Sequence, residues 1–364
     1  MKLDRIKVKG FKSIKEMDLE LGSLNVLIGA NGAGKSNFIG VFRLINQIIE
    51  ENLQFYVRQA GGANVLLHYG RKKTTSLEIE LFFGLNSYKA ELVPSADDSL
   101  FFGDERCFFQ APNSKYDQPF QEILGRGHKE SLLEERILIN SSKIAEHVLD
   151  ALQSWKVYHF HDTSENARIK QTNKINDNAY LKPDAANLAA FLYLLKETQR
   201  YSYERIIKVI QLAAPFFDDF VLRPSPLNPE NIQLEWREKN DDGYFNASSL
   251  SDGTLRFICL ATLLLQPELP ATILIDEPEL GLHPYAITLL AGLLESASIK
   301  SQIIISTQSV PLVNHFSPEN IIVVDRKDNQ STFTPLKTRD LNLWLEDYSL
   351  GEIWEKNLIG GRPG

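Results

Sequence analysis

The chain has 364 residues, of which 43% are hydrophobic, and a formal net charge of −8 at pH 7. This length suits one large α/β domain or two lobes with a sizeable core. No signal peptide or membrane-spanning run is present, and two cysteines provide no disulfide framework, so we expect a soluble, cytoplasmic protein without a membrane partner. The negative charge excludes a surface that is basic all over and restricts any nucleic-acid contact to a local patch.

Two strands are predicted before residue 24, because apolar residues alternate with charged ones. Ile6 and Val8 alternate with basic residues in the first strand, and Leu19 and Leu21 alternate with acidic residues in the second. Six basic residues lie among the first fifteen. They fit either a DNA-facing edge or a charged edge strand that prevents aggregation, and the second interpretation is favoured.

The next stretch, LNVLIGANGAGKSN over residues 24–37, is an apolar strand followed by the pattern G-x-x-x-x-G-K-[ST]. This pattern predicts a phosphate-binding loop whose glycines let backbone N–H groups point at the phosphates. Lys35 can reach the β- and γ-phosphates, and the Ser36 hydroxyl can bind Mg²⁺. A helix from Lys35 to Ile49 would direct its positive N-terminal end at the same anion. The predicted nucleotide-binding residues here are Gly29, Ala30, Asn31, Gly32, Ala33, Gly34, Lys35, Ser36 and Asn37.

Residues 77–109 again show strand-like alternation and predict an antiparallel sheet beside the nucleotide-binding core. The pattern then changes, and helices are predicted over 185–197, with Asp184 as N-cap, and over 203–213. Between these regions, His159 and His161 alternate onto one face of a strand, with Asp162 adjacent. They allow a metal site, but ordinary surface or core histidines are favoured because no third ligand is evident.

Carboxylates follow a buried strand near residue 276. The apolar run at 271–275 ends in Asp276, Glu277, Pro278 and Glu279, and ligands of open α/β sheets bind at the carboxyl ends of strands. Asp276 is predicted to hold Mg²⁺ through its water shell, and Glu277 to orient or deprotonate an attacking water. Further buried strands at 302–306 and 321–324, separated by helices, indicate a parallel sheet.

In this order, the motifs GANGAGKSN, LSDGT, ILIDEPELGLHP and IIISTQS resemble the ABC-type ATPases of the RecF, SMC and OLD group. The chain is most similar to the compact bacterial ATPases of that group, often described as AAA-family. The resemblance covers essentially the whole chain. It implies a P-loop NTPase core with a mainly parallel sheet, an N-terminal antiparallel β subdomain and an inserted helical lobe, as in an ABC-ATPase head. The expected division is 1–110 and 246–364 for the head and 111–245 for the lobe.

The resemblance also assigns roles to residues. Residues 29–36 are the Walker A loop, and Asp276 with Glu277 is Walker B with its catalytic glutamate. Ser251 and Gly253 belong to the signature motif, whose serine would contact the γ-phosphate bound by a second subunit, so an ATP-dependent homodimer is expected. Glu279 to Pro284 occupies the D-loop position, and Lys12 and Ser13 lie where such proteins approach the adenine.

The chain departs from the pattern at the switch position. Many relatives read S-T-H-S, whereas this chain reads Ser306-Thr307-Gln308-Ser309. Gln308 can donate a hydrogen bond to phosphate but cannot become cationic, so slow turnover is expected. The Q-loop glutamine is left open between Gln59 and Gln110. Too few residues follow Gln308 for a Toprim-like nuclease domain.

The predicted activity is ATP hydrolysis, with Lys35, Mg²⁺ and backbone amides stabilising the developing charge while Glu277 aligns the water. Three uses of this activity are possible. The first is an ATPase coupled to double-stranded DNA in repair, chromosome maintenance or phage defence, with basic fragments at residues 71–73 and 168–174. The second is a regulatory ATPase that controls a co-encoded effector protein. The third, a transporter subunit, is disfavoured because the resemblance is to the DNA-associated branch.

Overall fold

The computed structural model of the chain describes residues 1–111 and 119–362. Within these ranges the strands are, in chain order, β1 (Arg5–Phe11), β2 (Ile14–Glu20), β3 (Leu24–Ile28), β4 (Leu77–Phe83), β5 (Asn86–Pro94), β6 (Leu100–Phe109), β7 (Phe120–Gly125), β8 (Trp155–Tyr158), β9 (Asn173–Lys174), β10 (Phe217–Phe220), β11 (Pro224–Ser225), β12 (Asn228–Ile232), β13 (Glu235–Glu238), β14 (Phe245–Asn246), β15 (Thr272–Asp276), β16 (Gln302–Thr307), β17 (Ile321–Lys327) and β18 (Gln330–Pro335). The α-helices are α1 (Lys35–Ile49), α2 (Leu53–Gln59), α3 (Ala63–Leu66), α4 (Leu133–Asn140), α5 (Lys143–Gln153), α6 (Leu188–Thr198), α7 (Arg200–Ala213), α8 (Asp252–Leu265), α9 (Pro284–Ser298), α10 (Val310–Val313), α11 (Asn342–Leu345) and α12 (Leu350–Glu355).

The first large sheet is antiparallel and has the strand order β2-β1-β4-β5-β6-β7. Its strands alternate as the sequence predicts: in β4, Leu77, Ile79, Leu81 and Phe83 are buried and the residues between them are not. An antiparallel sheet with one buried face produces this period of two. The predicted N-terminal antiparallel subdomain is therefore confirmed.

The second large sheet has the order β18-β17-β3-β16-β15-β8, in which all neighbours are parallel except β18. Every residue of β3, β15 and β16 is buried, as expected when helices cover both faces. Leu27 packs on the side of α1 and the first sheet, whereas Val26 and Ile28 pack on the side of α6 to α9. The carboxyl ends of β3, β15 and β16 therefore meet at one edge of this sheet.

The predicted lobe at 111–245 contains helices α4 to α7 and also short strands. Two of these strands extend the large sheets, because β7 is the last strand of the first sheet and β8 pairs with β15 in the second. The others form two three-stranded sheets, β10-β13-β14 and β11-β12-β9. Residues 112–118 of the predicted lobe lie outside the described residues, and the three-part division of the chain stays a prediction.

The helix predicted over 185–197 begins later than expected, at Leu188. Ala185 has a left-handed backbone with φ of +54°, which a helix cannot contain. Buried Asn187 is the N-cap instead of Asp184. Its side chain does not cap the helix but binds the preceding loop. Lys182 N donates to its Oδ1 at 2.9 Å, and its Nδ2 donates to Tyr180 O at 2.8 Å. The helix therefore starts only after this loop has been fixed.

Candidate functional site

The glycine-rich loop follows β3 and ends where α1 begins. A Cβ at Gly29 would lie 2.2 Å from the carbonyl oxygen of Val324, so a larger residue would collide with the neighbouring strand β17. Gly34 has φ of +121°, which glycine adopts readily, and it is the N-cap of α1 without a side-chain cap. Asn31 and Gly32 are exposed at the tip. The loop therefore presents uncapped helix N–H groups to a possible anion, as a phosphate cradle requires.

Lys35 is buried in this loop, with only 5% of its surface exposed. Its Nζ donates hydrogen bonds to the carbonyl oxygens of Gly29 at 2.6 Å and Ala30 at 3.2 Å. Burial lowers the pKa of Lys35, while the carboxylates of Glu277, Asp276 and Glu279 oppose this effect. One cation and three carboxylates are thus gathered at the same edge of the second sheet.

A network of hydroxyl groups fixes the outer side of the loop. The Oγ atoms of Ser13 and Ser331 are 2.6 Å apart, and Asn37 Nδ2 donates to Ser13 Oγ at 2.6 Å. Ser331 Oγ also donates to the carbonyl oxygen of Ala33 at 2.5 Å. The turn between β1 and β2 and the strand β18 therefore hold the phosphate loop together, and Ser331 is a residue that sequence reasoning missed.

The adjacent residue Lys12 was predicted to lie near the adenine. Its backbone is left-handed, with φ of +46°, and its carbonyl oxygen lies 2.6 Å from Nδ1 of His68. Burial lowers the pKa of the Lys12 ammonium, and Arg43 adds to this effect. The structure brings Ser13 to the phosphate loop through Asn37 and places Lys12 beside it, while an adenine contact stays a prediction.

Asp276 ends the strand β15, next to β16, and Glu277 follows it. Ser306 Oγ donates to Asp276 Oδ1, and Gln308 Nε2 donates to Glu277 Oε1. Glu277 has φ of +44°, and its N–H donates to the carbonyl oxygen of Ser306 at 2.9 Å. A left-handed glutamate costs about 1–2 kcal/mol, and strain of this kind concentrates at functional sites. The side chains of Glu277 and Gln308, both predicted to act in catalysis, are therefore in contact.

Glu279 is the third carboxylate of this cluster. Its Oε1 accepts hydrogen bonds from Thr307 Oγ1 and from the backbone N–H of Gln308. Its Oε2 is buried and has no hydrogen-bond partner within residues 1–111 and 119–362. Burial raises the pKa of Glu279, and the neighbouring charge of Glu277 acts in the same direction. The folded protein therefore penalises the ionised form of this carboxyl.

We expect Glu279→Gln to raise the melting temperature of the nucleotide-free protein at pH 8 by about 2 °C, and by less at pH 5. The raised pKa means that the folded state binds this proton more tightly than the unfolded state, whose ordinary value is 4.5. The contribution of Glu279 to stability is thus greatest below pH 4.5 and is lost as pH rises through the folded-state pKa. Thermal unfolding at both pH values, with exposed Glu268→Gln as control, measures this difference. Equal shifts at pH 5 and pH 8 contradict the assignment.

The residues predicted to form the signature motif lie in a different part of the fold from the glycine-rich loop, at the start of α8. Exposed Ser251 is the N-cap of α8, and its Oγ accepts from Thr254 N at 3.2 Å. A Cβ at Gly253 would lie 2.2 Å from the carbonyl oxygen of Gly281, so the start of α8 packs against the segment that follows β15. A cavity of about 120 Å³ is lined in part by Ser251, Gly253 and His283. None of the hydrogen bonds of Ser251 reaches residues 29–36.

The two glutamines considered for the Q-loop do not end strands of the second sheet. Gln59 ends α2 and Gln110 follows β6, and both are exposed. The place beside Asp276, at the carboxyl end of β8, is occupied by His159 and His161. Nε2 of His161 lies 2.8 Å from the backbone oxygen of Asp276, and since a carbonyl only accepts, the ring donates. The alternation of the two histidines was visible in the sequence, but the pairing of β8 with β15 was not.

Arg256, one turn into α8, is a second residue that sequence reasoning missed. Its guanidinium donates to the carbonyl oxygens of Leu280 at 2.9 Å, His161 at 3.0 Å and Phe160 at 3.3 Å. The signature helix is thereby joined to the segments that follow both β8 and β15. No sequence motif signals these contacts, because the acceptors are backbone atoms.

Metal binding at this edge would involve few protein ligands. Within residues 1–111 and 119–362, no three His, Cys, Asp or Glu side chains are arranged to hold a metal ion. Exposed Ser36 begins α1, and Asp276 ends β15. One hydroxyl and one carboxylate fit Mg²⁺, because this ion usually keeps several waters and binds phosphate oxygens as well.

Comparisons with known proteins agree with this architecture. A family model described as "AAA domain, putative AbiEii toxin, Type IV TA system" matches residues 24–314. The chain is similar to the structure of an Smc head bound to the C-winged helix domain of ScpA, with 16% identity and a TM-score of 0.61 over 94% of this chain and 100% of that one. It is also similar to an Smc head with an extended coiled coil bound to the C-terminal domain of ScpA, derived from Pyrococcus furiosus, with 16% identity and a TM-score of 0.54 over 95% and 98% of the two chains.

At 16% identity, this likeness concerns the fold. The predicted fold of an ABC-ATPase head and the resemblance to the SMC group are confirmed at that level. A comparison with curated proteins found no match. Across the described part of the chain, no helix combines the length and apolar character needed to cross a membrane.

Proposed function

The chain belongs to the AAA-domain family whose model it matches over residues 24–314, and from this premise we propose that it binds and hydrolyses ATP as an ATP-sandwiched homodimer. The family supports nucleotide hydrolysis in general terms. The residues, the dimer and the biological use are our proposal. It rests mainly on the separation between the two sets of nucleotide-binding motifs.

That separation is the observation that carries the dimer. Lys35, Asp276 and Glu277 are gathered around the loop at one edge of the second sheet, so one half of a nucleotide site is present in a single chain. Ser251 is exposed, and within residues 1–111 and 119–362 its side chain forms hydrogen bonds only with Thr254. A second copy that placed its own Ser251 over the phosphate loop would complete the site. Because the arrangement is reciprocal, two copies would enclose two nucleotides.

The proposed mechanism is phosphoryl transfer to water. Lys35 and the backbone N–H groups at the start of α1 stabilise charge on the phosphates, and Glu277 aligns and deprotonates the attacking water. Gln308, which donates to Glu277, keeps this carboxylate oriented. Ser36 and Asp276 would hold a Mg²⁺ ion, which when bound would neutralise further charge on the phosphate oxygens.

Ser251→Arg tests the sandwich. We expect the variant to bind ATP as a monomer with wild-type affinity but to lose ATP-dependent dimerisation, since a long cationic side chain would stand where the partner nucleotide must approach. Light scattering with and without ATP and Mg²⁺ measures the dimer, and fluorescent ATP measures binding. Hydrolysis is expected to fall by about a hundredfold, as for loss of a transition-state contact.

The matched control is Ser142→Arg, because Ser142 also caps a helix, accepting from Ala145 N at the start of α5. Loss of a serine cap alone costs about 1 kcal/mol of stability and should be similar in both variants. An ATP-dependent dimer that persists in Ser251→Arg counts against the sandwich. Loss of the dimer in Ser142→Arg as well would assign the effect to general destabilisation.

Coupling to double-stranded DNA is supported by a basic cavity near the phosphate loop. The cavity, of about 550 Å³, is lined in part by Lys9, Lys15 and Lys73, by one carboxylate, Asp328, and by Tyr69, which is 56% exposed. Lys9 lies 3.6 Å from Glu78, whereas Lys15 and Lys73 form no ion pair within the described ranges 1–111 and 119–362. Two basic fragments that are distant in sequence therefore meet in space, and such clusters attract the phosphate backbone.

The other basic fragment, at residues 168–174, is less suited to DNA because its charges are already matched. Arg168 lies 3.0 Å from Asp184, and Lys174 lies 3.1 Å from Glu230. Lys170 is buried and donates to the carbonyl oxygen of Thr163 at 2.6 Å. We therefore assign the DNA contact to the cavity at Lys15 and Lys73.

The double variant Lys15→Glu with Lys73→Glu is expected to weaken DNA binding at least tenfold and to reduce the salt slope by about two. It should also abolish stimulation of ATP hydrolysis by DNA without changing hydrolysis in its absence. Fluorescence anisotropy with a DNA duplex at low and moderate salt measures the first effect, and Lys300→Glu, at an exposed site, is the control. Hydrolysis that is indifferent to DNA in the wild-type protein would exclude this coupling.

The alternative function is control of an effector protein. The similar Smc heads are described as bound to domains of ScpA, so a head of this fold can carry a protein partner. In this chain, Phe120 and Ile123 of β7 and Leu138 and Ile139 of α4 are exposed apolar side chains that a partner could cover. Absence of DNA stimulation together with a co-purifying protein would favour this alternative.

A further inference from the structure

The carboxyl end of β8 carries two histidines for which the proposed mechanism has no use. In the parallel pair of β8 and β15, Tyr158 lies opposite Ile275 as the last pair, so His159 follows the end of β8 while Asp276 is the last residue of β15. The chain therefore brings an imidazole to the level of the carboxylate proposed to hold Mg²⁺. The sequence lacks a switch histidine, because Gln308 stands in its place.

His159 lies near the end of β15 that carries Asp276. Val157 and Leu274 pack in the core on the side of α1, whereas Tyr158 and Ile275 pack on the opposite side. Asp276, the next residue of β15, returns to the α1 side. The ring of His159 lies beside that of His161, whose Nε2 donates to the backbone oxygen of Asp276.

The neighbouring ring of His161 is held by a hydrogen bond. This contact also holds the segment that follows β8. Its Nε2–H donates to the backbone oxygen of Asp276, and Arg256 donates to the backbone oxygens of Phe160 and His161. The backbone N–H of His159 donates to the carbonyl oxygen of Pro183 at 2.8 Å. The backbone of the segment that carries His159 is therefore held in place by Pro183, Arg256 and Asp276.

The ring of His159 itself remains available. Its centroid lies 4.2 Å from that of His161, and within residues 1–111 and 119–362 neither of its nitrogens has a hydrogen-bond partner. His159 is exposed at this edge of the sheet. A neutral imidazole offers one donor and one acceptor, so it can accept a hydrogen bond from a water and donate one to a phosphate oxygen.

We propose that His159 is a positioning residue of the nucleotide site, whose imidazole hydrogen-bonds to a water held between Asp276 and the bound metal–triphosphate. The resemblance led us to expect a Q-loop glutamine in this role, and His159 would take its place. Outer contacts of this kind orient the ligands of a metal ion and typically change metal affinity 10–100-fold. The inference rests on the proposed function, since it requires Mg²⁺ and ATP to bind at this edge.

The test is a titration of fluorescent ATP binding with Mg²⁺, compared with binding in EDTA. His159→Ala is expected to raise the Mg²⁺ concentration for half-maximal binding about tenfold and to leave binding in EDTA unchanged. His159→Gln, which keeps one donor and one acceptor, is expected to stay within about threefold of the wild type. Exposed His147→Ala on α5 is the matched control.

Each outcome decides one point. Wild-type Mg²⁺ dependence in His159→Ala overturns the inference and leaves the proposed function intact. Equal losses in His159→Ala and His159→Gln, accompanied by a lower melting temperature, also overturn it, because they indicate a structural role only. If the wild-type protein shows no Mg²⁺-dependent binding while folded, the proposed function itself fails.

Discussion

Lys35→Ala is expected to reduce ATP affinity by at least about a hundredfold and to abolish measurable hydrolysis. Lys35 is the buried cation of the loop, and its ammonium already donates to the carbonyl oxygens of Gly29 and Ala30. These same donors can turn to the β- and γ-phosphates. A hydrogen bond between charged groups contributes about 1.5–3 kcal/mol, so two such bonds amount to about 3 kcal/mol or more, which is a factor of a hundred or greater.

The fold should survive this substitution. Burial lowers the pKa of Lys35, which means that its buried charge destabilises the folded state unless the nearby carboxylates compensate. In addition, alanine is a good helix former at the start of α1. Fluorescent ATP binding and thermal unfolding measure the two effects separately, with Lys300→Ala, at an exposed lysine, as control. Wild-type affinity in Lys35→Ala contradicts the assignment of the phosphate loop.

The contiguous parts of the site could be predicted from the sequence because the residues of each part are close neighbours in the chain. The predicted helix from Lys35 to Ile49 has the same bounds in the structure. The buried strand that ends at Asp276 was predicted by its apolar run and is buried at every residue. Local patterns of this kind carry their own signal, since a strand, a glycine turn and a helix start are decided by neighbouring residues.

The contacts that complete the site could not be predicted, because they join residues far apart in the chain. Ser331 reaches the loop from β18, and β8 meets β15 after more than a hundred intervening residues. Nothing in the spacing of either segment specifies its partner. The two histidines of β8 were therefore visible as a pair but not as neighbours of Asp276.

The environment of Glu279 shows a second limit. Its sequence position suggested only the D-loop, and the unpartnered Oε2 follows from how β15 and β16 end side by side. Burial, and with it the raised pKa of Glu279, is a property of packing that a motif does not encode. The carboxylates of the motif thus have different electrostatic environments, although they are only a few residues apart.

Glu277→Gln is expected to bind ATP like the wild type but to hydrolyse it about a hundredfold or more slowly. The amide keeps the size of the side chain, and its oxygen can still accept the hydrogen bond that Gln308 Nε2 donates to Glu277. The backbone contact of residue 277 with the carbonyl oxygen of Ser306 is unaffected. What the variant loses is a base, and general-base catalysis contributes typically 10²–10⁴-fold.

Measured together, binding and dimerisation distinguish a missing base from a disordered site. If Glu277 is the base, the ATP-bound dimer accumulates in Glu277→Gln, because the nucleotide that holds it together is no longer hydrolysed. Gln308→Ala is the matched comparison: it leaves the carboxylate but removes its donor, so its loss of rate should be smaller than that of Glu277→Gln. Near wild-type turnover in Glu277→Gln refutes its role as base. A larger loss of hydrolysis rate in Gln308→Ala than in Glu277→Gln would indicate that Gln308, the residue at the switch position, contributes more to catalysis than Glu277.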